Sequence, residues 1–219
     1  MANYDIVLFD FDGTMIDTSD GIFKSIIYAL NADGQPVPTE DTLRKFIGPP
    51  IYDSFKNIFG YTDEDKIEWM IKKYRERYGV LGLFEAEYYD GIEELLIKLK
   101  ENGIKVATAS SKPKKFIERI LNETDFAKYI DYIGGTVFDE KGSGKTGILL
   151  NALENLNCTD KSRAIMVGDR KFDIEGAKGA GIETIAVLYG FGSRKEFEEY
   201  EAEYIVEDTK GIEKIIFGE

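Results

Sequence analysis

Short apolar runs rich in β-branched residues recur along this chain of 219 residues, with turns and amphipathic stretches between them. Near-continuous apolarity is typical of strands covered on both faces, and alternation with helical patterns favours a parallel sheet. The runs predict strands at residues 4–9, 104–109, 129–133, 164–167 and 183–188. A chain with this rhythm is expected to form an α/β fold, with helices flanking a parallel sheet.

The strand rhythm breaks after the first run. Residues 16–85 carry helical patterns and no convincing strand, including a capped helix start at residues 62–65. We therefore predict a helical domain at residues 16–85, inserted into an α/β core domain formed by residues 1–15 and 86–219. The joints are expected near residues 15–18 and 82–88.

The net charge restricts the class of partner. The composition, 43% hydrophobic and 32% charged, is that of a soluble globular protein, and no run approaches the roughly 20 apolar residues of a membrane span. Because 41 acidic residues outnumber 28 basic ones, the net charge is −13. A surface of this sign repels nucleic acid and anionic lipid, so we expect neither as a partner. Any phosphate site must reverse the field locally with lysine, backbone N–H groups or a divalent cation.

The absence of histidine and the single cysteine exclude several classes of catalytic, metal and disulfide chemistry. The chain contains no histidine, which rules out phosphohistidine chemistry, a Ser-His-Asp triad and the usual zinc sites. Its single cysteine, Cys158, rules out an internal disulfide, so a reducing cytoplasmic location is expected. The first residues show no basic leader and no apolar run typical of a signal peptide.

The stretch KGSGKTG at residues 141–147 is similar to the phosphate-binding loop of nucleotide hydrolases. The strict pattern requires glycine five residues before Gly144, but Asp139 stands there, and its carboxylate would repel a phosphate. The apolar run ending in an acid at residues 164–169 could form the second half of an ATPase site. The role of Lys145 therefore stays open at this point.

An acid pair follows the first predicted strand. Asp10 and Asp12 lie two residues apart, so in extended chain they point to the same side, beyond the carboxyl end of the strand. Ligands of open α/β sheets bind at that end. Three explanations are consistent with the pair: a divalent metal neutralises it, the two acids divide into nucleophile and acid/base, or both lie in a solvated turn.

Further polar residues follow other predicted strands. Asp169 and Asp173 form a second acid pair, four residues or about one helical turn apart. Residues 110–112 place two hydroxyls and a lysine at a predicted helix start, where N–H groups suit an anion. Lys145 precedes its own predicted helix. Each could be a cap, a turn or a solvated side chain, but together they indicate a site for Mg²⁺ and phosphate.

With these motifs the chain resembles the haloacid dehalogenase superfamily, in the branch with a helical cap inserted after the first strand. It is most similar to phosphoglycolate phosphatase-like and 5′-nucleotidase-like members. Four motifs occur in the family's order: Asp10-Phe11-Asp12-Gly13-Thr14, Ser110, Lys145 and Gly168-Asp169-x-x-x-Asp173. Subgroup-like stretches lie at residues 46–50 and 189–194. The resemblance spans nearly the whole chain and implies a Rossmann-like parallel sheet core with an inserted α-helical cap at residues 16–85.

The resemblance also implies roles for the acids. Asp10 would be the nucleophile that forms an aspartyl phosphate, since a carboxylate can attack phosphorus without a base. Mg²⁺ would be held by the Asp10 side chain, the Asp12 main-chain carbonyl and the Asp169 side chain, with Asp173 close behind. Asp12 would protonate the leaving oxygen and later take a proton from the hydrolytic water.

The remaining motif residues would bind the substrate. Lys145 would hold Asp10 and the phosphoryl oxygens, and Ser110 would donate a further hydrogen bond. Gly13, Thr14 and Ser111 complete the predicted substrate-binding set. Many relatives continue with proline after the lysine, whereas this chain has Thr146.

Rival functions lack sequence support. A dehalogenase would lack an acid at Asp12, a sugar phosphomutase of this branch uses a cap histidine, and enzymes that cleave carbon–phosphorus bonds need a cap lysine and a different first motif. A phospho-accepting signalling domain has no use for a cap, and a nucleotide-binding loop leaves Asp10, Asp12 and Ser110 unexplained.

The expected function is a Mg²⁺-dependent phosphatase of small phosphomonoesters, phosphoglycolate phosphatase-like. A 5′-nucleotidase-like activity is the alternative, and a phospho-accepting signalling domain is the alternative of another class. Its partner would be a small phosphorylated metabolite, and the protein would be a monomer or a weak homodimer. Residues 46–50 of the cap, with nearby Arg44 and Lys45, are expected to face the leaving group.

Overall fold

The computed structural model describes residues 2–136 and 144–218. Two compact units divide the chain, one formed by Met1–Ile16 and Tyr88–Glu219 and the other by Asp17–Glu87. The strands are β1 (Ile6–Phe9), β2 (Ile16–Asp17), β3 (Glu87–Tyr88), β4 (Lys105–Pro113), β5 (Tyr132–Thr136), β6 (Ala164–Gly168), β7 (Glu183–Val187) and β8 (Tyr204–Val206). The α-helices are α1 (Ser19–Ala32), α2 (Glu40–Arg44), α3 (Ile51–Phe59), α4 (Glu64–Tyr78), α5 (Ile92–Glu101), α6 (Lys114–Glu123), α7 (Gly144–Asn155), α8 (Lys171–Ala180), α9 (Arg194–Glu199) and α10 (Thr209–Phe217).

The first unit is built on a six-stranded parallel sheet with the strand order β5-β4-β1-β6-β7-β8. Strand β1 lies between β4 and β6, and all four of its residues are buried, as expected for a strand covered on both faces. Ile6 and Leu8 share one face with the apolar residues of α7, including Leu149 and Leu153. The predicted α/β fold is confirmed.

The register of the three central strands determines which residues meet at their carboxyl ends. Phe9 of β1 is the partner of Thr108 in β4 and of Val167 in β6. The chain moves outward from β1 to β4 and β5 and then returns to the other side of β1 as β6, so the strand order reverses beside β1. This reversal opens the crevice in which open α/β sheets bind ligands.

Two features at the edges of the sheet leave little trace in the sequence patterns. The run at residues 195–204 forms α9 only as far as Glu199, and Tyr204 begins the edge strand β8. Phe197 of α9 is fully buried and packs on the same cluster as Ile174 and Ala186, because the helix covers the sheet. The strand expected at residues 129–133 begins instead at Tyr132, after a 3₁₀ turn over Phe126–Tyr129.

The second unit contains α1 to α4. Asp63 caps α4 by accepting hydrogen bonds from the N–H groups of Asp65 and Lys66, as the capped start at residues 62–65 predicts. Phe46 is buried and packs edge-on against Phe55, with ring centroids 5.4 Å apart. The Phe46 ring therefore belongs to the apolar core of its own unit and is not available to a substrate, while the prediction that residues 46–50 face the leaving group stays a prediction for the rest of the stretch.

Arg44, one of the two basic residues expected near the leaving group, forms an exposed ion pair with Glu40 at 2.9 Å. Within the described ranges, none of the helices has both the length and the apolar character needed to cross a membrane. The function of residues 16–85 as a cap remains a prediction.

Candidate active site

Three buried carboxylates and one buried ammonium meet at the carboxyl end of the central strands. One carboxylate oxygen from each of Asp10, Asp169 and Asp173 lies within 4.8 Å of the other two. The Nζ atom of Lys145 lies 2.9 Å from Oδ1 of Asp10 and 2.6 Å from Oδ1 of Asp173. Four residues expected at the site, from three separate parts of the sequence, are thus brought together.

Strand register and side-chain alternation place Asp10. It follows β1 directly, and its N–H donates to the carbonyl of Val167 at 2.8 Å, which continues the pairing of β1 with β6 beyond Phe9. Residues two apart in extended chain share a face, so Asp10 continues the face of Ile6 and Leu8, against which α7 packs. Lys145 is the second residue of α7. The same packing that buries the apolar face therefore directs the lysine to Asp10.

The Asp169 carboxylate is held by its first-motif neighbours and by the loop after β7. The hydroxyl of Thr14 donates to its Oδ1 at 3.2 Å, and the N–H of Phe191 donates to its Oδ2 at 2.8 Å. Gly13 has φ +87°, and a Cβ there would lie 2.3 Å from Oδ2 of Asp169. Glycine at position 13 thus permits both the turn and the close approach. The contribution of the Phe191 main chain was not expected, since a backbone N–H leaves no mark in the sequence.

Asp173 occupies the first turn of α8 and has two roles. Its Oδ2 accepts a hydrogen bond from the N–H of Arg170 at 3.0 Å, which caps the helix, while its Oδ1 contacts Lys145. The sequence left open whether Asp173 caps a helix or belongs to the site, and its side chain does both.

Burial and mutual repulsion change the proton affinities of these acids. Burial, followed by the charges of Asp173 and Asp10, raises the pKa of Asp169 well above its usual value. Burial also raises the pKa of Asp173 to about 6, although the Lys145 ammonium opposes the shift. For Lys145 itself burial acts to lower the pKa, but the carboxylates of Asp10 and Asp173 outweigh burial and raise it above the ordinary lysine value.

This cluster of ligands fits a divalent cation. Three carboxylates against one ammonium leave two negative charges when all are ionised, which is the charge that one divalent cation neutralises. Carboxylate oxygens are the ligands that Mg²⁺ prefers. Burial and the neighbouring carboxylates of Asp173 and Asp10 disfavour the ionised form of Asp169, and a bound cation would offset these effects.

A glycine makes room for the Lys145 side chain where α7 packs closely against α8. Gly176 of α8 faces Lys145, and a Cβ at position 176 would lie 2.6 Å from Cγ of the lysine. Lys145 was expected to precede its helix, but it belongs to the first turn of α7. Asp139 and residues 141–143 of the KGSGKTG stretch lie outside the described residues.

We expect Gly176→Ala to lower the rate of any reaction that uses Lys145, by about tenfold or more, because the added methyl displaces the lysine stem. The measurement is kcat alongside the melting temperature. Gly179→Ala is the matched control, since its methyl would meet Thr146 Oγ1 at 2.5 Å on the same helix pair without touching Lys145. Equal rate losses in both variants would contradict the assignment.

Asp12 does not join the three-carboxylate cluster through its side chain. Its Oδ1 and Oδ2 lie 2.8 Å and 3.1 Å from Nζ of Lys112, whose side chain is only 3% exposed. Lys112 was absent from the expected site residues. The expectation of a helix start at residues 110–112 was wrong, because β4 continues to Pro113 and α6 begins at Lys114.

Ser110 and Lys112 lie near the end of β4, where its pairing with β5 is irregular between Ala109 and Pro113. Both side chains are buried, and Oγ of Ser110 accepts a hydrogen bond from the N–H of Lys112 at 3.2 Å. A hydroxyl that accepts one bond can still donate another, so Ser110 keeps its expected donor capacity. The carbonyl of Ser111 accepts from Thr136 Oγ1 at 3.2 Å, which ties the segment to β5.

Comparison with known proteins agrees with this arrangement. Residues 7–187 match the family described as haloacid dehalogenase-like hydrolase. The chain is 33% identical to a 5′-nucleotidase of Pseudomonas aeruginosa over 213 residues, covering 97% of this chain and 96% of that protein. It is also 33% identical to the tyrosine-protein kinase PtkA of Mycobacterium tuberculosis over 211 residues, covering 96% of this chain and 70% of the kinase.

A crystal structure of a protein from Clostridium acetobutylicum, described as a predicted phosphatase, superposes with a TM-score of 0.91. The two sequences are 40% identical, and the match covers 96% of this chain and 97% of that one. The family match spans most of the sheet unit and contains all four motif positions. The chain therefore belongs to the haloacid dehalogenase-like hydrolase family and is an enzyme of its phosphatase type.

Proposed function

We propose that the protein is a Mg²⁺-dependent phosphatase that hydrolyses small phosphomonoesters through a phosphorylated Asp10. The observation that carries the proposal is the Asp10 carboxylate, buried beside Lys145 within a cluster of two further carboxylates. The Asp10 side chain is 7% exposed, and a carboxylate this deeply buried is costly unless it has a function or a partner. Here the arrangement supplies a nucleophile, a counter-charge and ligands for a cation.

In the first step an oxygen of Asp10 would attack phosphorus while the bond to the leaving oxygen breaks. The Lys145 ammonium, 2.9 Å from Asp10, would orient the nucleophile and balance the charge that spreads over the phosphoryl oxygens. Ser110 would donate a hydrogen bond to the same group. The immediate products are an aspartyl phosphate and the free alcohol.

Asp12 would handle the proton in both steps. It would give a proton to the leaving oxygen as the ester bond breaks, and it would regain a proton from the water that attacks the aspartyl phosphate. Each cycle then releases phosphate, restores the Asp10 carboxylate and leaves Asp12 protonated for the next turnover.

The side chains of Asp10 and Asp169 and the main-chain carbonyl of Asp12 would hold Mg²⁺, with the Asp173 carboxylate beside them. When bound, the cation would reduce the repulsion between the Asp10 carboxylate and the phosphate dianion. Thr14 and the Phe191 N–H keep Asp169 in place for this purpose.

The direct test is release of inorganic phosphate from p-nitrophenyl phosphate by purified protein, with MgCl₂ and with excess chelator. We expect turnover with MgCl₂ and its loss with chelator. The absence of any phosphate release under both conditions would overturn the proposed function.

Metal binding has its own prediction. Mg²⁺ at 100 times its Kd should stabilise the fold by about 2.7 kcal/mol, which corresponds to a rise in Tm of roughly 5–10 °C. Asp169→Asn should remove most of this rise, since it removes a ligand and one of the repelling charges. Asp5→Asn, which changes an exposed acid paired with Arg163, should keep it. An equal Tm rise in all three proteins would place the cation elsewhere.

A nucleoside monophosphate is the substrate class with the stronger support. The similarity to a 5′-nucleotidase, the activity expected as the alternative, extends over 97% of the chain, whereas phosphoglycolate, the first expectation, is supported by the motif resemblance. A panel comparing kcat/KM for 5′-nucleotides, phosphoglycolate and other small phosphates decides between them. A preference for phosphoglycolate would reverse this choice, and a flat profile would contradict both.

The signalling alternative differs in the lifetime of the phosphorylated state. A relative named as a protein kinase makes phosphate transfer to a protein worth testing. Rapid quenching and intact-mass measurement after addition of substrate should show a phosphoenzyme that decays within the turnover time. A long-lived adduct without phosphate release would favour the phospho-accepting role instead.

A further inference from the structure

We propose that Lys112 is a positioning residue for the proton-transfer group of this enzyme: it holds the Asp12 carboxylate in the orientation from which Asp12 serves the leaving oxygen. The inference rests on the proposed phosphatase function and adds a residue that is absent from the motifs. Its basis is the contact between Nζ of Lys112 and both carboxylate oxygens of Asp12, at 2.8 Å and 3.1 Å.

The Lys112 side chain is buried in the protein rather than exposed on its surface. Its side chain is 3% exposed and that of Asp12 is 16% exposed, so the pair is largely shielded from water. The ammonium also lies 6.0 Å from the ring centroid of the fully buried Phe11, the residue before Asp12. Because a charge buried to this degree needs an opposite charge nearby, Lys112 and Asp12 restrain each other's position.

The backbone on both sides of Lys112 is also restrained. Its N–H donates to Ser110 Oγ, and the preceding carbonyl of Ser111 accepts from Thr136. A Cβ at Gly135 would lie 2.8 Å from the carbonyl oxygen of Lys112, so β5 packs tightly against this point. The strand therefore delivers the ammonium to a defined place, as a positioning role requires.

The positive charge of Lys112 stabilises Asp12 during the part of the catalytic cycle in which Asp12 is ionised. Asp12 becomes anionic when its proton moves to the leaving oxygen, and it remains so until water returns a proton. An ammonium in contact with both oxygens stabilises that anion and restricts its rotation. Loss of Lys112 should therefore slow the reaction most where proton transfer to the leaving oxygen is most advanced, which is with poor leaving groups.

The test is the dependence of kcat/KM on the leaving group, because kcat/KM reports the steps through formation of the phosphoenzyme. A series of p-nitrophenyl, phenyl, p-methoxyphenyl and benzyl phosphates keeps substrate size similar while the leaving group worsens. For Lys112→Met we expect a loss of less than about threefold with p-nitrophenyl phosphate and of about 100-fold with benzyl phosphate. Lys114→Met, which removes an exposed lysine two residues away, should leave the series unchanged.

Two further variants separate positioning from a structural role. Adding Lys112→Met to Asp12→Asn should cause no further loss with benzyl phosphate, since the two residues act as one unit. Lys112→Arg should restore most of the benzyl phosphate activity, because it keeps a cation beside Asp12. The double variant removes both charges, so it also serves if Lys112→Met alone does not fold.

A uniform loss across the series, or no loss at all, would overturn the inference. Additive losses in the double variant would do the same. Failure of the proposed function is distinguishable, since in that case the wild-type protein itself would release no phosphate from p-nitrophenyl phosphate.

Discussion

Replacing Asp10 by asparagine is expected to abolish turnover, with a loss of roughly 10⁴-fold or more in kcat, because an amide cannot form the aspartyl phosphate. The substitution keeps the shape of the side chain and removes one of three crowded carboxylates. We therefore expect the metal-free variant to be at least as stable as the wild-type protein, so that lost activity cannot be attributed to unfolding. The measurements are steady-state phosphate release and thermal unfolding.

A matched control and a second measurement test the interpretation of the Asp10→Asn variant. Asp5→Asn changes an exposed aspartate just before β1 and should keep full activity. Intact-mass analysis after rapid quenching should show a phosphoryl adduct on wild-type protein and none on Asp10→Asn. Full turnover by Asp10→Asn, or an adduct at another residue, would show that the nucleophile is misassigned.

Replacing Lys145 by alanine is expected to reduce hydrolysis of every phosphate substrate alike, by roughly 10³-fold in kcat. The ammonium contacts Asp10 and would contact the transferred phosphoryl group, which all substrates share. A nucleotide-binding lysine would behave differently, since its loss would affect nucleotides selectively. The measurement is kcat for a nucleotide, phosphoglycolate and p-nitrophenyl phosphate, and a loss confined to the nucleotide would contradict the role proposed here.

The same variant should also be destabilised in the absence of metal. Removing one partner of a buried ion pair typically costs about 3–5 kcal/mol, because the remaining charge is left uncompensated. Adding Asp173→Asn to Lys145→Ala should recover much of this free energy of unfolding while activity stays low, since Asp173 lies 2.6 Å from the lysine. Lys178→Ala, which removes an exposed lysine of α8, is the control for loss of charge alone. Unchanged stability in Lys145→Ala would contradict the electrostatic picture of the site.

Much of this site could be predicted from the sequence because its residues directly follow strands. In a parallel sheet the carboxyl ends lie at one edge, so acids placed after two neighbouring strands must meet. Asp10 follows β1 and Asp169 follows β6, and these strands pair through Phe9 and Val167. The apolar runs were sufficient to identify both strands and to place both acids at the same edge of the sheet, whereas the pairing of β1 with β6 brought the two acids together.

Other features could not be predicted from the sequence, because local residue patterns do not determine them. The hydroxyl and lysine residues at positions 110–112 are compatible with a helix start as well as with a continuing strand. Pairing of Pro113 with Thr136 decides for the strand, and this contact joins segments that are remote along the chain. The continued strand brings the N–H of Lys112 to Oγ of Ser110 and the Lys112 ammonium to Asp12.

The sequence by itself determined the fold class and the residues able to carry the chemistry, because strand periodicity and chain order are local properties. Tertiary structure alone decided the partners of these residues. It placed Lys145 between Asp10 and Asp173, and it assigned Lys112 to Asp12. The physical reason is that pairing of buried charges depends on distances of a few ångströms across the packed chain, and such distances are set by strand register and helix packing rather than by spacing along the sequence.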